Sequence, residues 1–256
     1  MKSGVQTPWL LRPRLNSGAR RRLFCFPYAG GSALIFRDWP AGLSAEIEVC
    51  PVQLPGRGTR MTEPAFTRLA PLIDTLTEAL LPHLDKPFSF FGHSLGAIIS
   101  FEVARRLQAE YSLEPQHLFV SAHRAPQLAD PDPPTYNLPE PEFVEELKRL
   151  NGTPPEVLQN DELMRLMIPL LRADFELVQT YSYVAGPPLN CPISALGGLR
   201  DHEVSRGQLE AWREHTKAAF TLRMFPGDHF FIHTAQQLLL TAVSKDLTLL
   251  SGCTPQ

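Results

Sequence analysis

The sequence predicts an α/β domain in which a mostly parallel sheet is covered by helices on both faces. Three observations predict it. Six short apolar runs alternate with segments whose apolar residues recur every three or four positions. The runs are apolar on both faces, as strands between two helical layers must be, rather than alternately apolar and polar. The chain has 256 residues, 43% of them hydrophobic, which fits one domain with a sizeable core and excludes a disordered chain.

The runs in order are Arg22–Phe26, Ile47–Leu54, Phe88–Phe91, Leu118–Ala122, Ile193–Leu196 and Phe220–Phe225. Between the second and third, Phe66, Leu69, Leu72, Ile73, Leu76 and Leu80 share one face of a helix. Leu95, Ile98, Ile99 and Leu107 form a second helical stripe, and 238–250 closes the chain with a third. A core of 23–124 and 189–256 follows, preceded by an arm over 1–22. That arm holds Lys2, Arg12, Arg14, Arg20, Arg21 and Arg22 without an acid, and the rest of the chain carries 18 bases against 27 acids. It lacks the apolar stretch of a signal peptide, and its simplest form is a solvated arm.

Residues 125–188 break the alternation. They hold 11 of the 25 prolines and an excess of acids. Two helical patterns sit inside, one from about Pro141 through Leu150 with Gly152 placed to cap it, the other from Asp161 to Tyr181 with Pro169 set to kink or divide it. Helices inserted between two core strands predict a lid over the edge of the sheet that carries function.

The strongest local signal is Gly92-His93-Ser94-Leu95-Gly96. A G-x-S-x-G pentapeptide alone is weak. Here it ends an apolar run and opens a helical stripe, the setting of a nucleophile elbow in the α/β-hydrolase fold. The serine sits on a strained turn that lifts Oγ above the sheet, and the glycines let strand and helix approach. Ser94 needs a base, and the chain order in this fold is Ser, acid, His. His229 lies just after the last strand and before the final helix, where the base belongs. His93 lies inside the elbow, directed away from the serine; His123 is a candidate for a pocket wall; the other histidines suit packing or the surface. The acid is Asp201, at the end of the penultimate strand, where it can accept from the base's second ring nitrogen. Asp228 is too close in sequence to brace its neighbour's ring, and Asp174 suits a solvated helix face. For the oxyanion, Leu95 offers one backbone N–H. The loop Phe26-Pro27-Tyr28-Ala29-Gly30-Gly31-Ser32 offers another, from Ala29 first and Tyr28 second.

Taken together, Phe26-Pro-Tyr-Ala-Gly-Gly31, Gln53-Leu-Pro-Gly-Arg-Gly58, Gly92-His-Ser-Leu-Gly96, Ser121-Ala-His-Arg-Ala-Pro126, Leu196-Gly-Gly-Leu-Arg-Asp201 and Gly227-Asp-His-Phe230 resemble the type II thioesterases. These are the editing hydrolases of polyketide and non-ribosomal peptide biosynthesis. The resemblance spans about residues 20 to 250. It implies an α/β-hydrolase with a helical lid that releases acyl groups stranded on the phosphopantetheine arm of acyl or peptidyl carrier proteins. Ser94 is then the nucleophile, His229 the base and Asp201 the orienting acid. Tyr28 stands where many members have histidine, which changes a pocket wall. Arg57 is open to two readings, a ligand for a phosphate of the arm or part of a turn built by Pro55, Gly56 and Gly58.

A net charge of −3 opposes nucleic-acid binding. No stretch approaches 18 uninterrupted apolar residues, which opposes a membrane span. Cys25, Cys50, Cys191 and Cys253 are far apart with no C-x-x-C, opposing a disulfide scaffold or a thiolate zinc site. The expectation is a cytoplasmic monomer needing neither metal nor cofactor. Two rival functions share the same residues: an esterase or lipase acting on free oxygen esters, and a hydrolase fold that has lost catalysis and binds a ligand or partner.

Overall fold

A computed structural model describes residues 7–11 and 18–249 of the chain. Six strands form one sheet: β1 (Arg21–Phe26), β2 (Ile47–Pro51), β3 (Phe88–His93), β4 (Leu118–Ser121), β5 (Ile193–Gly198) and β6 (Phe220–Phe225). Their order is β2-β1-β3-β4-β5-β6 and every adjacent pair is parallel. β1 to β3, for example, pairs Phe24 with Phe90 and Phe26 with Gly92. The chain builds outward from β1 to β2, then returns to the other side of β1 for β3. That reversal opens a crevice at the carboxyl ends of β1 and β3, the position where ligands bind in open parallel sheets.

Alternation along the strands divides the core in two. Phe24, Phe26, Phe90, Leu118 and Val120 pack under α1 (Leu69–Leu80) and α2 (Leu95–Arg106). Leu23, Cys25, Phe91 and Phe119 face the opposite layer, which includes α8 (Gln236–Leu249). α1 starts at Leu69, so Phe66 precedes the helix and packs instead near Trp9, with ring centroids 6.4 Å apart. β2 ends at Pro51, earlier than the apolar run does, and Val52 makes an antiparallel bridge to Leu10.

Leu10 and its neighbour Trp9 correct the expectation of a wholly solvated arm. Both are buried in the main core, and the Arg60 guanidinium stacks 4.0 Å from the Trp9 ring centroid. Arg22 is buried as well, paired with Glu48 at 2.8 Å and with Asp85. Arg20 is exposed beside Glu46. Lys2, Arg12, Arg14 and Cys253 lie outside the described residues.

Between β4 and β5 the chain forms α3 (Glu140–Leu150), α4 (Pro155–Leu158) and α5 (Asp161–Gln179). Phe143 and Leu147 of α3 meet Met164, Ile168 and Leu171 of α5 in a separate small core. Leu177 of α5 joins the main core, so α5 links the two. Two local expectations are corrected. α3 ends on Asn151 in the left-handed conformation (φ 55°) rather than on Gly152; asparagine tolerates that conformation because its short side chain bonds locally. Gly152 instead lets the Phe230 ring pack against the backbone. Pro169 does not divide α5: it lies on the exposed face, where the carbonyl that loses its partner is open to water. Two short helices, α6 (Arg206–Glu210) and α7 (Phe231–Thr234), flank β6. No described helix is long and apolar enough to cross a membrane.

Candidate active site

β3 delivers Ser94 to the crevice on a turn with φ 52° and ψ −117°, a conformation costly to any residue with a Cβ. The surroundings hold it there. Ser94 N–H donates to Ser121 O of β4 at 2.7 Å. A Cβ on Gly92 would overlap the Gly96 carbonyl, and one on Gly96 would overlap Phe26 O. The two glycines therefore allow α2 to turn back against β3 and β1, as the elbow requires.

His229 follows β6 on a turn that Gly227 (φ 120°) permits and that Asp228 stabilises, its Oδ1 accepting from Phe230 N at 2.9 Å. Asp201 follows β5. Its Oδ1 accepts from the backbone N–H groups of Glu203 and Val204 at 2.9 and 3.2 Å, and its Oδ2 lies 3.0 Å from His229 Nδ1. The Asp201 carboxylate, fully buried and able only to accept, puts a proton on Nδ1. Nε2 is then the acceptor, 3.1 Å from Ser94 Oγ. A buried acid, an imidazole of fixed tautomer and a hydroxyl are thus lined up in sequence. Close contact of β5 with the 227–228 turn assists, because a Cβ on Gly198 would overlap the Asp228 carbonyl.

Among the described residues the amides of Leu95, Ala29 and Tyr28 donate no hydrogen bond, and all three residues line the cavity that reaches Ser94 and His229. The cavity has a volume of about 490 Å³. Met167, Leu171, Phe175 and Val178 of α5 give it an apolar wall, joined by Leu147 of α3. His123 also lines it; burial pushes this imidazole down to about 4, so it is neutral at pH 7.

Two groups make contacts that the sequence did not reveal. His93 has no hydrogen bond to Ser94 but is bound at both ring nitrogens. Its Nε2 lies 3.0 Å from the His229 carbonyl and its Nδ1 2.9 Å from Ser121 Oγ. Only a protonated Nε2 can donate to that carbonyl, so Nδ1 accepts from the serine hydroxyl. Burial, reinforced by the nearby His229, holds His93 well below its ordinary value, hence neutral. Asp174 is not a solvated helix acid. It is 1% exposed and binds the 4%-exposed Arg57 through two bonds of 2.6 and 2.7 Å. That pairing removes Arg57 from the candidates for a phosphate ligand. The sequence signal for it was an arginine held in a turn rich in proline and glycine, but no local pattern links residues 57 and 174.

A parallel sheet with Ser94 on the turn after its third strand, and Asp201 and His229 on the turns after its last two, defines the α/β-hydrolase fold class. Comparison with known proteins narrows this: residues 21–247 match the thioesterase domain family, and the chain belongs to it. It is 47% identical over 242 residues to the protein named linear gramicidin dehydrogenase LgrE of Brevibacillus parabrevis, covering 93% of this chain and 92% of that one. It is 44% identical over 241 residues to the gramicidin S biosynthesis protein GrsT of Aneurinibacillus migulanus, covering 94% of each. The solved structure of BorB, the type II thioesterase from the borrelidin biosynthetic cluster, superposes with a TM-score of 0.84 at 35% identity, covering 93% of this chain and 96% of BorB.

Proposed function

We propose that the chain is an editing thioesterase that hydrolyses acyl groups from the phosphopantetheine thiol of acyl or peptidyl carrier proteins, with Ser94 as nucleophile, His229 as base and Asp201 as its orienting acid. The observation that carries the chemistry is the Ser94–His229–Asp201 line at 3.1 and 3.0 Å. The likeness to type II thioesterases of the borrelidin and yersiniabactin biosynthetic pathways supports a carrier-bound substrate.

In the first half-reaction Ser94 Oγ attacks the thioester carbonyl carbon while its proton passes to His229 Nε2. Asp201 stabilises the imidazolium without taking the proton. The carbonyl oxygen becomes an oxyanion, met by the N–H of Leu95 and one from the Tyr28–Ala29 segment; losing one such donor typically costs about 3 kcal/mol of transition-state stabilisation. The intermediate collapses, the C–S bond breaks and the thiol leaves with the proton from His229. Water then attacks the acyl-serine ester, giving its proton to His229, and the carboxylic acid departs as Ser94 regains its hydrogen. The helices of 125–188 act as the lid, supplying the apolar wall against which the acyl chain lies.

The word dehydrogenase in the name of one relative does not suit this chain. A dinucleotide fold calls for G-x-G-x-x-G after its first strand; no such pattern occurs in the 256 residues, and β1 runs into Pro27-Tyr28-Ala29-Gly30. The esterase reading shares the triad and is separated by substrate. Turnover of an acetyl-loaded carrier protein well above that of an aryl ester supports the editing role, and the reverse preference refutes it.

A further inference from the structure

The geometry points to Arg57 and Asp174 as a positioning pair that holds the oxyanion loop in register and makes its geometry depend on the seating of α5. The inference rests on the assignment of Ser94 and the loop amides given above.

The loop after β1 is a tight turn. Gly31 N–H donates to Tyr28 O at 2.9 Å, and Gly30 at the third position has φ 75°, as a type II turn requires. A peptide plane carries its N–H opposite its C=O. With Tyr28 O committed to Gly31, the N–H of Ala29 in the same plane points the other way and is left unpaired on the cavity wall. The orientation of that turn therefore decides where the donor aims.

Two contacts to the turn fix it, one from each member of this pair. Asp174 Oδ2 accepts from Gly30 N–H, the central peptide of the turn, at 2.7 Å. Central peptides are the ones that flip between turn types, and this bond holds the flip in one sense. Arg57 Nη1 donates to Gly31 O at 3.4 Å, a longer contact on the far side of the turn. The same guanidinium grips both oxygens of Asp174, and its Nε donates to Pro55 O at 3.2 Å. A planar fork bound to carboxylate, to Gly31 and to Pro55 cannot rotate without losing several bonds together.

Asp174 belongs to α5, in the inserted segment, whereas Arg57 and the loop belong to the hydrolase core. α5 also seats directly on the turn: a Cβ on Gly30 would lie 2.7 Å from Leu171 Cδ2. Withdrawal of α5 thus removes the acceptor of the Gly30 N–H and leaves Arg57 buried without its carboxylate. A structure with α5 displaced keeps Ser94, His229 and Asp201 but loses the loop donor, so thioester cleavage is tied to closure of the helices over the substrate. Burial of a full ion pair is costly unless the geometry is satisfied on all sides, and this one is satisfied mostly by the loop it holds.

The test compares wild type with D174N and with R57M/D174L, the second replacing the pair by apolar side chains without stranding a charge. Each is assayed on octanoyl-N-acetylcysteamine thioester and titrated with octylboronic acid, whose tetrahedral adduct with Ser Oγ needs the oxyanion donors as the transition state does. Circular dichroism reports folding. The expected result is a fall in kcat of about tenfold or more with KM within threefold. The boronate inhibition constant should rise in parallel, more steeply in the double variant. A purely structural role lowers the melting temperature while leaving the kcat and inhibition constant of the folded fraction unchanged. Either folded variant behaving that way overturns the proposal. Wild type that neither cleaves the thioester nor binds the boronate overturns both this inference and the assignment of Ser94 beneath it.

Discussion

Replacing Asp201 by asparagine inverts the proton on the base, and the structure shows why the side chain has no escape. Oδ1 accepts from two backbone N–H groups, those of Glu203 and Val204. In the variant only the amide oxygen can meet them, because an NH₂ there would face two donors. The NH₂ must then occupy the place of Oδ2, 3.0 Å from His229 Nδ1. Nδ1 becomes an acceptor, the ring proton moves to Nε2, and Nε2 can no longer take the proton of Ser94. In a triad of this kind the wrong tautomer lowers kcat by about 10⁴-fold, or about 5.5 kcal/mol of barrier. Asparagine has nearly the same shape, so the structural loss is one hydrogen bond to a charged group, roughly 1–3 kcal/mol. The assay is single-turnover deacylation of an acyl carrier protein with melting followed by circular dichroism. Folded D201N that retains more than about a tenth of wild-type kcat refutes the tautomer argument and Asp201 as the orienting acid.

Gly96→Ala places a methyl into the Phe26 carbonyl; the elbow must distort, and a phosphonate probe is expected to label the soluble variant at under about a hundredth of the wild-type rate, a drop comparable to that from losing an oxyanion donor. Met167→Trp fills part of the 490 Å³ cavity; kcat/KM for decanoyl thioester should fall at least tenfold relative to acetyl thioester, and equal losses for both remove α5 from the acyl wall. Stability should decline with acid. Burial pushes His117 and His123 down to about 4, so the unfolded chain takes up these protons near pH 6.5 and the folded one only near pH 4. The folded state thus has its full histidine contribution above pH 6.5 and loses it progressively between 6.5 and 4. Differential scanning calorimetry should show the melting temperature falling through that window, and His123→Phe should flatten part of the slope.

Much of this was legible in the sequence because the signals are local. Strands buried on both faces leave continuous apolar runs, and all six were visible, though β5 extends to Gly198 through a Gly-Gly pair that carries no strand signal of its own. Ser94, Asp201 and His229 each follow a strand in the chain order of the fold, so their convergence follows from topology rather than from long-range contacts. The misses depend on partners distant in the chain. Asp174 is an unremarkable acid on a helix until Arg57, 117 residues earlier, is brought against it. His93 meets the carbonyl of a residue 136 positions away. Trp9 and Leu10 lie in a basic segment whose charge suggested solvent, whereas Leu10 bridges Val52 and Arg60 covers the Trp9 ring. The end of α3 turned on a choice between adjacent residues that each accept a left-handed turn, and packing against Phe230 decided which of them serves.

Hydrolysis of a propionyl-loaded carrier protein, followed by intact mass with wild type beside Ser94→Ala, reaches the central claim most directly. Removal of the acyl mass by wild type alone, with the phosphopantetheine arm left intact, is the expected result. An acyl carrier left untouched by both proteins, while wild type cleaves a simple aryl ester, contradicts the editing function. Equal deacylation by Ser94→Ala contradicts the nucleophile.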